Sequence, residues 1–254
     1  MGRILAVVCA GGLLVANAAA MAADMPLKAP PLARPYSWAG FYIGGTAGYG
    51  WGSDGVSLAY GSAYPAGLPG TLASNPRGFI GGLEYGTNYQ FGRWVLGTES
   101  DFSFADITSS QTSSVAGFSN SGTQKLSTLS TSRGRAGYTI QDNILLYGTG
   151  GLADGTVKAS TLTAGATCPP CDGGSASKTL WGWTAGAGVE YGSGPWSMKV
   201  EYLHYDLGNL NFNMADPSLA GTTVATSTRF AGDVVRAGVN YRFDWTPWQL
   251  IFVR

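Results

Sequence analysis

Val234-Val235-Arg236-Ala237-Gly238-Val239-Asn240-Tyr241-Arg242-Phe243 alternates without a break. Val235, Ala237, Val239, Tyr241 and Phe243 share one side, and Arg236, Gly238, Asn240 and Arg242 share the other. A period of two belongs to a β-strand, whose successive side chains point to opposite faces. Seven more runs with this rhythm precede it. Together they predict strands over 40–53, 78–91, 93–106, 123–140, 144–157, 178–192, 196–208 and 228–243. The links between them alternate in kind. Phe91-Gly92-Arg93, Gln141-Asp142-Asn143 and Gly192-Ser193-Gly194-Pro195 are short, whereas 54–77, 107–122, 158–177 and 209–227 are long and polar. An even number of alternating strands joined in this way predicts an all-β fold, an eight-stranded antiparallel up-and-down transmembrane β-barrel. Barrels of this class keep their short turns in the periplasm, so both termini are expected there.

Composition supports a membrane barrel. Charged residues make up 12% of the chain, against about 25% in soluble domains. Aromatics make up 12%, and there are 39 glycines. Lys+Arg and Asp+Glu balance at 15 each, which gives no reason to invoke nucleic acid. Arg3, the apolar Ile4–Val15 and the small residues through Ala22 read as a secretory signal over 1–22. Cys9 lies inside that apolar core, not at a lipidation box. Residues 23–38 form a Pro-rich periplasmic lead, extended and unpacked over 25–35. The barrel is expected over 39–243 and a C-terminal extension over 244–254. Nothing after the signal carries about 18 uninterrupted apolar residues, which excludes a helical membrane protein.

Parity assigns the faces. The apolar sets end in aromatics, as girdles at a lipid–water boundary do: Phe41, Tyr49, Trp51, Trp94, Trp181, Trp183, Tyr191, Trp196, Tyr202 and Tyr241. The opposite sets carry Glu84, Glu99, Asp101, Glu190 and Glu201 against Arg133, Arg135, Lys199, Arg236 and Arg242. Eight strands enclose room for side chains only, and a buried unpaired charge is expensive, so the ten are expected to pair and plug the lumen. Glu99 and Asp101 lie one strand from Arg133 and Arg135 and form the centre of that plug. The competing reading is that these charges line a narrow wet channel.

Other chemistry is sparse. His204 is the only histidine, and Asp206 shares its parity on the outward face near the rim. That could mimic a catalytic pair, but no second signature supports a site. Cys168-Pro169-Pro170-Cys171 has redox spacing but lies in an exported polar loop, where a loop-tip disulfide is expected. Metal binding would need further ligands, and none is nearby. Gly148-Thr149-Gly150-Gly151 mimics a phosphate loop without the helix that makes such loops bind. No cofactor, metal site or enzymatic activity is expected.

Tyr36-Ser37-Trp38-Ala39-Gly40-Phe41-Tyr42-Ile43-Gly44-Gly45 resembles the opening of the small outer-membrane immunogenic proteins of alphaproteobacteria. The 234–243 stretch resembles their last strand, and Gly78-Phe79-Ile80-Gly81-Gly82 and Leu96-Gly97-Thr98-Glu99 resemble their second and third strands. The likeness spans 36–243. It implies an OmpA-like, surface-exposed antigenic barrel of the cell outer membrane, concerned with envelope integrity and sometimes called a porin. It brings no catalytic residues. Its expected partners are outer-membrane lipids and lipopolysaccharide, the barrel-assembly machinery and periplasmic chaperones, and an unidentified ligand of the outer loops. Such barrels often end on an aromatic that the assembly machinery reads. Tyr241 and Phe243 are the candidates here, although the apolar tail carrying Trp245, Trp248 and Phe252 follows them.

Overall fold

The computed structural model describes residues 36–52, 54–60, 70–115, 117–165, 168–215 and 223–243. The expected signal, the lead up to Pro35 and the 244–254 tail lie outside the described residues, as do the side chains of Cys168 and Cys171. Ten strands form one antiparallel sheet. They are β1 Gly40–Trp51, β2 Asp54–Tyr60, β3 Thr71–Ser74, β4 Arg77–Phe91 and β5 Trp94–Val115. β6 Phe118–Gln141, β7 Ile144–Gly165, β8 Cys168–Ser193, β9 Trp196–Ala215 and β10 Thr223–Phe243 follow. The ring runs β1-β4-β5-β6-β7-β8-β9-β10 and closes when β1 pairs β10 from Phe41↔Phe243 to Trp51↔Asp233. Eight strands therefore make the barrel, and the deciding stretch 234–243 supplies its closing seam.

The outward face is apolar. Phe79, Leu83, Phe104 and Trp181 are all more than two-thirds exposed. The inward face holds the buried charges and a buried apolar core. This is the inversion expected of a wall facing lipid.

The long polar links are a correction. β5 runs to Val115, β6 starts at Phe118, β7 runs to Gly165, β8 starts at Cys168 and β9 runs to Ala215. Most of 107–122, 158–177 and 209–227 is therefore strand. Their Ser and Thr content suggests solvated loops, but hydroxyl side chains also pair well across strands. Ser110 and Thr123 share a 3.3 Å hydrogen bond, and Thr163 donates to Asn120 at 2.8 Å. The 54–77 link likewise contains β2 and β3. β2 pairs the outer part of β10 over Val56–Tyr60, and β3 pairs β2.

A spanning strand needs about 9–11 residues, so strands of 20–26 residues extend well beyond any bilayer. In that projecting part the ring ceases to be continuous. β8 and β9 have no pairing between Gly173↔Ala215 and Trp183↔Asp206. Leu207 of β9 comes close enough to β7 that a Cβ on Gly155 would meet its Cδ1. A Cβ on Gly122 of β6 would meet Leu72 of β3 and Val56 of β2. The upper wall therefore flattens into two facing sheets, β5–β8 against β9-β10-β2-β3.

Candidate functional site

The lumen is stacked in layers. At the turn end, Tyr36, Trp38, Val95, Leu145 and Tyr147 pack together. Trp38 Nε1 donates to the Asp142 carbonyl at 3.0 Å, and its backbone N–H to Gln90 Oε1 at 2.7 Å. The end of the expected lead thus caps the barrel.

Above that cap lies the charged layer. β5 and β6 bring Glu99 opposite Arg133 in register. Arg133 bridges Glu99 Oε1, Asp101 Oδ2 at 2.9 Å and Glu201 Oε1 at 3.0 Å, while its Nε donates to Thr131 Oγ1 at 2.8 Å. Arg236 reaches across from β10 to Glu201 Oε2 at 2.7 Å and Asp101 Oδ2 at 3.2 Å. Lys199 Nζ bridges Glu84 at 2.7 Å and Glu99 at 2.8 Å. Arg135 binds Glu190 at 2.6 Å. Side chains in this network are at most 3% exposed. Nine of the ten inward charges read from parity thus join one salt-bridge network. The guanidinium of the tenth, Arg242, lies 4.7 Å from the centre of the Tyr36 ring.

Sequence reasoning missed the polar groups that complete this layer. Tyr42 donates to Glu99 Oε2 at 2.7 Å and accepts from Arg135 Nη1 at 3.0 Å. Tyr147 donates to Glu201 at 3.1 Å, and Arg135 stacks 4.0 Å from its ring centre. Ser197 and Asn240 donate to Glu190 Oε1. A signal existed. Tyr42 and Tyr147 sit at inward parity, each with a glycine across the lumen wall. A Cβ on Gly86 or Gly188 would strike the Tyr42 or Tyr147 hydroxyl, so only glycine leaves room for rings to cross there.

The next layer is mainly apolar. Ile80, Ile107, Leu126, Leu129, Val157, Leu203, Leu207, Leu210, Phe230 and Val234 belong to one buried core, each at most 7% exposed. Val56, Leu58, Leu72 and Val224 form a second cluster beyond it.

On the outside, nine of the ten proposed girdle aromatics are exposed, and Phe41 is half-buried. One group clusters at the turn end, where Trp196 meets Tyr241 at 5.0 Å and Phe41 meets Phe243 at 5.9 Å. The other includes Tyr49, Trp51, Trp181 and Trp183, about 8–10 residues further along the strands. At a tilt near 40° that separation is roughly 21–26 Å, the height of a barrel's apolar band. Tyr241 and Phe243 contact each other at 5.0 Å in the last described strand.

His204 does not pair with Asp206. Cross-strand register sets it opposite Asp233, whose Oδ1 lies 2.9 Å from His204 Nδ1 and accepts from Tyr202 at 2.6 Å. Asp206 instead accepts from Arg229 and from the Gly208 N–H. Residues two apart on a strand share a face but stand farther apart than cross-strand neighbours, so the neighbouring strand wins. Among the described residues, no group of three or more His, Cys, Asp or Glu is placed to hold a metal.

A closed ring with aliphatic and aromatic residues outside and charges inside defines an outer-membrane β-barrel. The profile described as "Outer membrane protein beta-barrel domain" matches residues 8–243, and the chain belongs to that family. It is 37% identical over 232 residues to the 31 kDa outer-membrane immunogenic protein of Brucella melitensis, covering 88% of this chain and 93% of that one. It is 30% identical to the 25 kDa outer-membrane immunogenic protein of Brucella abortus, covering 93% and 97%. A 22 kDa outer membrane protein of Rhizobium leguminosarum is 29% identical over 84% of this chain and 82% of its own. Among solved structures, OprG from Pseudomonas aeruginosa aligns with a TM-score of 0.51 at 13% identity, over 81% of this chain and 96% of that one. The protein is an outer-membrane barrel.

Proposed function

We propose that this barrel is a non-enzymatic, non-transporting envelope protein whose lumen is closed by its own side chains and whose projecting wall meets partners at the cell surface. The observation that carries this reading is the layered lumen. An aromatic cap, a salt-bridged layer and two apolar clusters follow one another along the axis. An apolar layer in a narrow barrel is a barrier to ions, because crossing it strips their hydration. The reading places the short turns and both termini in the periplasm and the two-sheet projection outside. It also fits an antigenic protein, since the Brucella relatives are named outer-membrane immunogenic proteins. Tyr241 and Phe243 then serve as the assembly signal, and the two aromatic groups as the girdles.

One observation favours the second reading, a narrow pore. Thr46 Oγ1, Glu84 Oε1, Asp101 Oδ1 and Ser103 Oγ are buried without a protein hydrogen-bond partner. Water threading the charged layer would satisfy them. Planar-bilayer conductance of the purified protein separates the two. The closed reading expects no steady single-channel current. Steady porin-like conductance would refute it. Outer-membrane permeability to detergent in a deletion strain tests the envelope role, and labelling of cysteines placed in the 61–69 or 216–222 links of whole cells tests the orientation.

A further inference from the structure

Residues registered across four strands of the projecting wall form one row: Arg77 of β4, Thr108 of β5, Lys125 of β6 and Lys158 of β7, with Ser177 of β8 continuing it. Burial alternation puts the row outside. Its chain neighbours Ile107, Gln124, Leu126, Val157 and Ala159 are buried, while Arg77 and Lys158 are exposed and Lys125 is partly so.

Two features set this row apart. Lys125 and Lys158 stand directly opposite each other, and like charges so placed repel. Between and beside them runs an open groove of about 510 Å³, lined also by Thr123, Ser160, Ser175 and Ser177. Two ammonium groups surrounded by hydroxyls make a donor-rich cradle that an anion would complete. Two carboxylates face the same stretch of wall. Asp106 binds Lys125 at 2.6 Å, and Asp154 lies lower, opposite Trp181. Among the described residues, no carboxylate lies within salt-bridge distance of Lys158.

Height identifies the anion. The row lies about four residues beyond the Asp154–Trp181 level, or roughly 10 Å along the barrel axis at a tilt near 40°. Aromatic girdles mark the lipid–water boundary, so the row stands where the polar headgroups of the outer leaflet do, within reach of lysines that snorkel back to them. We infer that Lys125 and Lys158, with Arg77 two strands from Lys125 along the same row, bind the phosphate groups of a phosphorylated glycolipid headgroup in the outer leaflet. The inference rests on the outward orientation proposed above.

The test uses purified full-length protein in detergent micelles, where both ends are accessible, so it does not depend on that orientation. Diphosphoryl lipid A is titrated in, and bound lipid is read by native mass spectrometry. The Lys125→Gln/Lys158→Gln variant should bind about thirtyfold more weakly, since each lysine near an anionic surface is worth about fivefold. Lys158→Arg should bind nearly as wild type does. Lipid A stripped of both phosphates should bind wild type as weakly as the double variant binds the intact lipid. Equal affinity of wild type and double variant for diphosphoryl lipid A overturns the inference. So does tight binding of the dephosphorylated lipid. Displacement of the lipid by an equal concentration of inorganic phosphate would assign the cradle to free phosphate instead. Whole-cell labelling that placed the row in the periplasm would overturn the orientation while leaving the micelle result standing.

Discussion

The charged layer and the apolar core above it occupy the same lumen and lie on the same strands, yet they are built from opposite residues. On β5 the inward positions pass from Glu99 and Asp101 to Ala105 and Ile107. On β6 they pass from Arg135 and Arg133 to Leu129 and Leu126. The outward positions change the other way, from Trp94, Leu96, Phe102 and Phe104 to Thr108 and Ser110 on β5, and from Tyr138 to Lys125 and Thr123 on β6. The chain turns inside out along its axis. Where lipid surrounds the wall, polar groups can only go inside. Where water surrounds it, the wall reverts to the apolar-inside arrangement of a soluble sandwich. The crossover lies near Phe104, Leu152, Trp181 and Trp183, and it locates one face of the bilayer without reference to any lipid.

Losing a charge from the lower layer should have the largest effect on stability. Arg133→Met leaves Glu99, Asp101 and Glu201 short of their shared cation in a dry site. Removing one partner of a buried pair costs about 3–5 kcal/mol. Urea titration of the micelle-bound protein, followed by the loss of its heat-dependent gel shift, should show a destabilisation of that size. A change under about 1 kcal/mol would mean that the network is solvated rather than buried. Conductance of the same variant sharpens the point, because the apolar layer predicts that the barrel stays closed even with the charged layer broken.

The matching change in the upper layer is Leu207→Ala. Leu207 is 2% exposed and sits where β9 closes on β7. Truncating a buried leucine costs about 2–5 kcal/mol, but here the loss should be local. Amide hydrogen exchange should quicken over 155–164 and 203–213 and stay slow in the turn-end half of β5 and β6. Equal acceleration in both halves would show that the two layers fold as one cooperative unit. A gentler cut is Tyr147→Phe, which keeps the ring under Arg135 and removes the hydroxyl that Glu201 accepts. A hydrogen bond to a charged group is worth about 1.5–3 kcal/mol, so this variant should fall below Arg133→Met in the same urea titration.

The two layers were not equally legible in the sequence. Alternation alone gives the ring and all ten inward charges, because period two survives wherever one face is lipid. The alternation continues through Thr108, Ser110 and Lys158, and on β6 it shifts phase at the bulge between Leu126 and Thr128 before reaching Lys125, but there the outward residues are Ser, Thr and Lys and the strands read as loops. Hydroxyl-rich segments leave strand and loop alike in composition, and only long-range pairing across β5–β8 decides between them. The tyrosines of the charged layer were hidden for a different reason. Their signal is the pair of facing glycines, Gly86 and Gly188, and it becomes readable only once the cross-strand register is known. The His204–Asp233 pair needed a cross-strand register that no local spacing encodes.

The smallest effect tests the outer surface of the upper wall. The Lys125 ammonium donates a hydrogen bond to the Asp106 carboxylate and holds it below its ordinary range. A depressed carboxylate pKa in the folded state contributes stability above the unfolded value, about 3.9 for Asp, and that contribution disappears as pH falls through the folded value. Asp106 is exposed, so salt and solvent screen the pair and its contribution is minor. The carboxyl resonance of Asp106 in micelles should therefore titrate below that of a free aspartate and move back towards it in Lys125→Gln. Global stability should barely change between pH 7 and pH 5. A titration that ignored Lys125 would leave that lysine free for the anion it is proposed to share with Lys158. A pair that resisted both salt and acid would mean that Lys125 is already committed to Asp106, so that Lys158 and Arg77 would have to hold the headgroup alone.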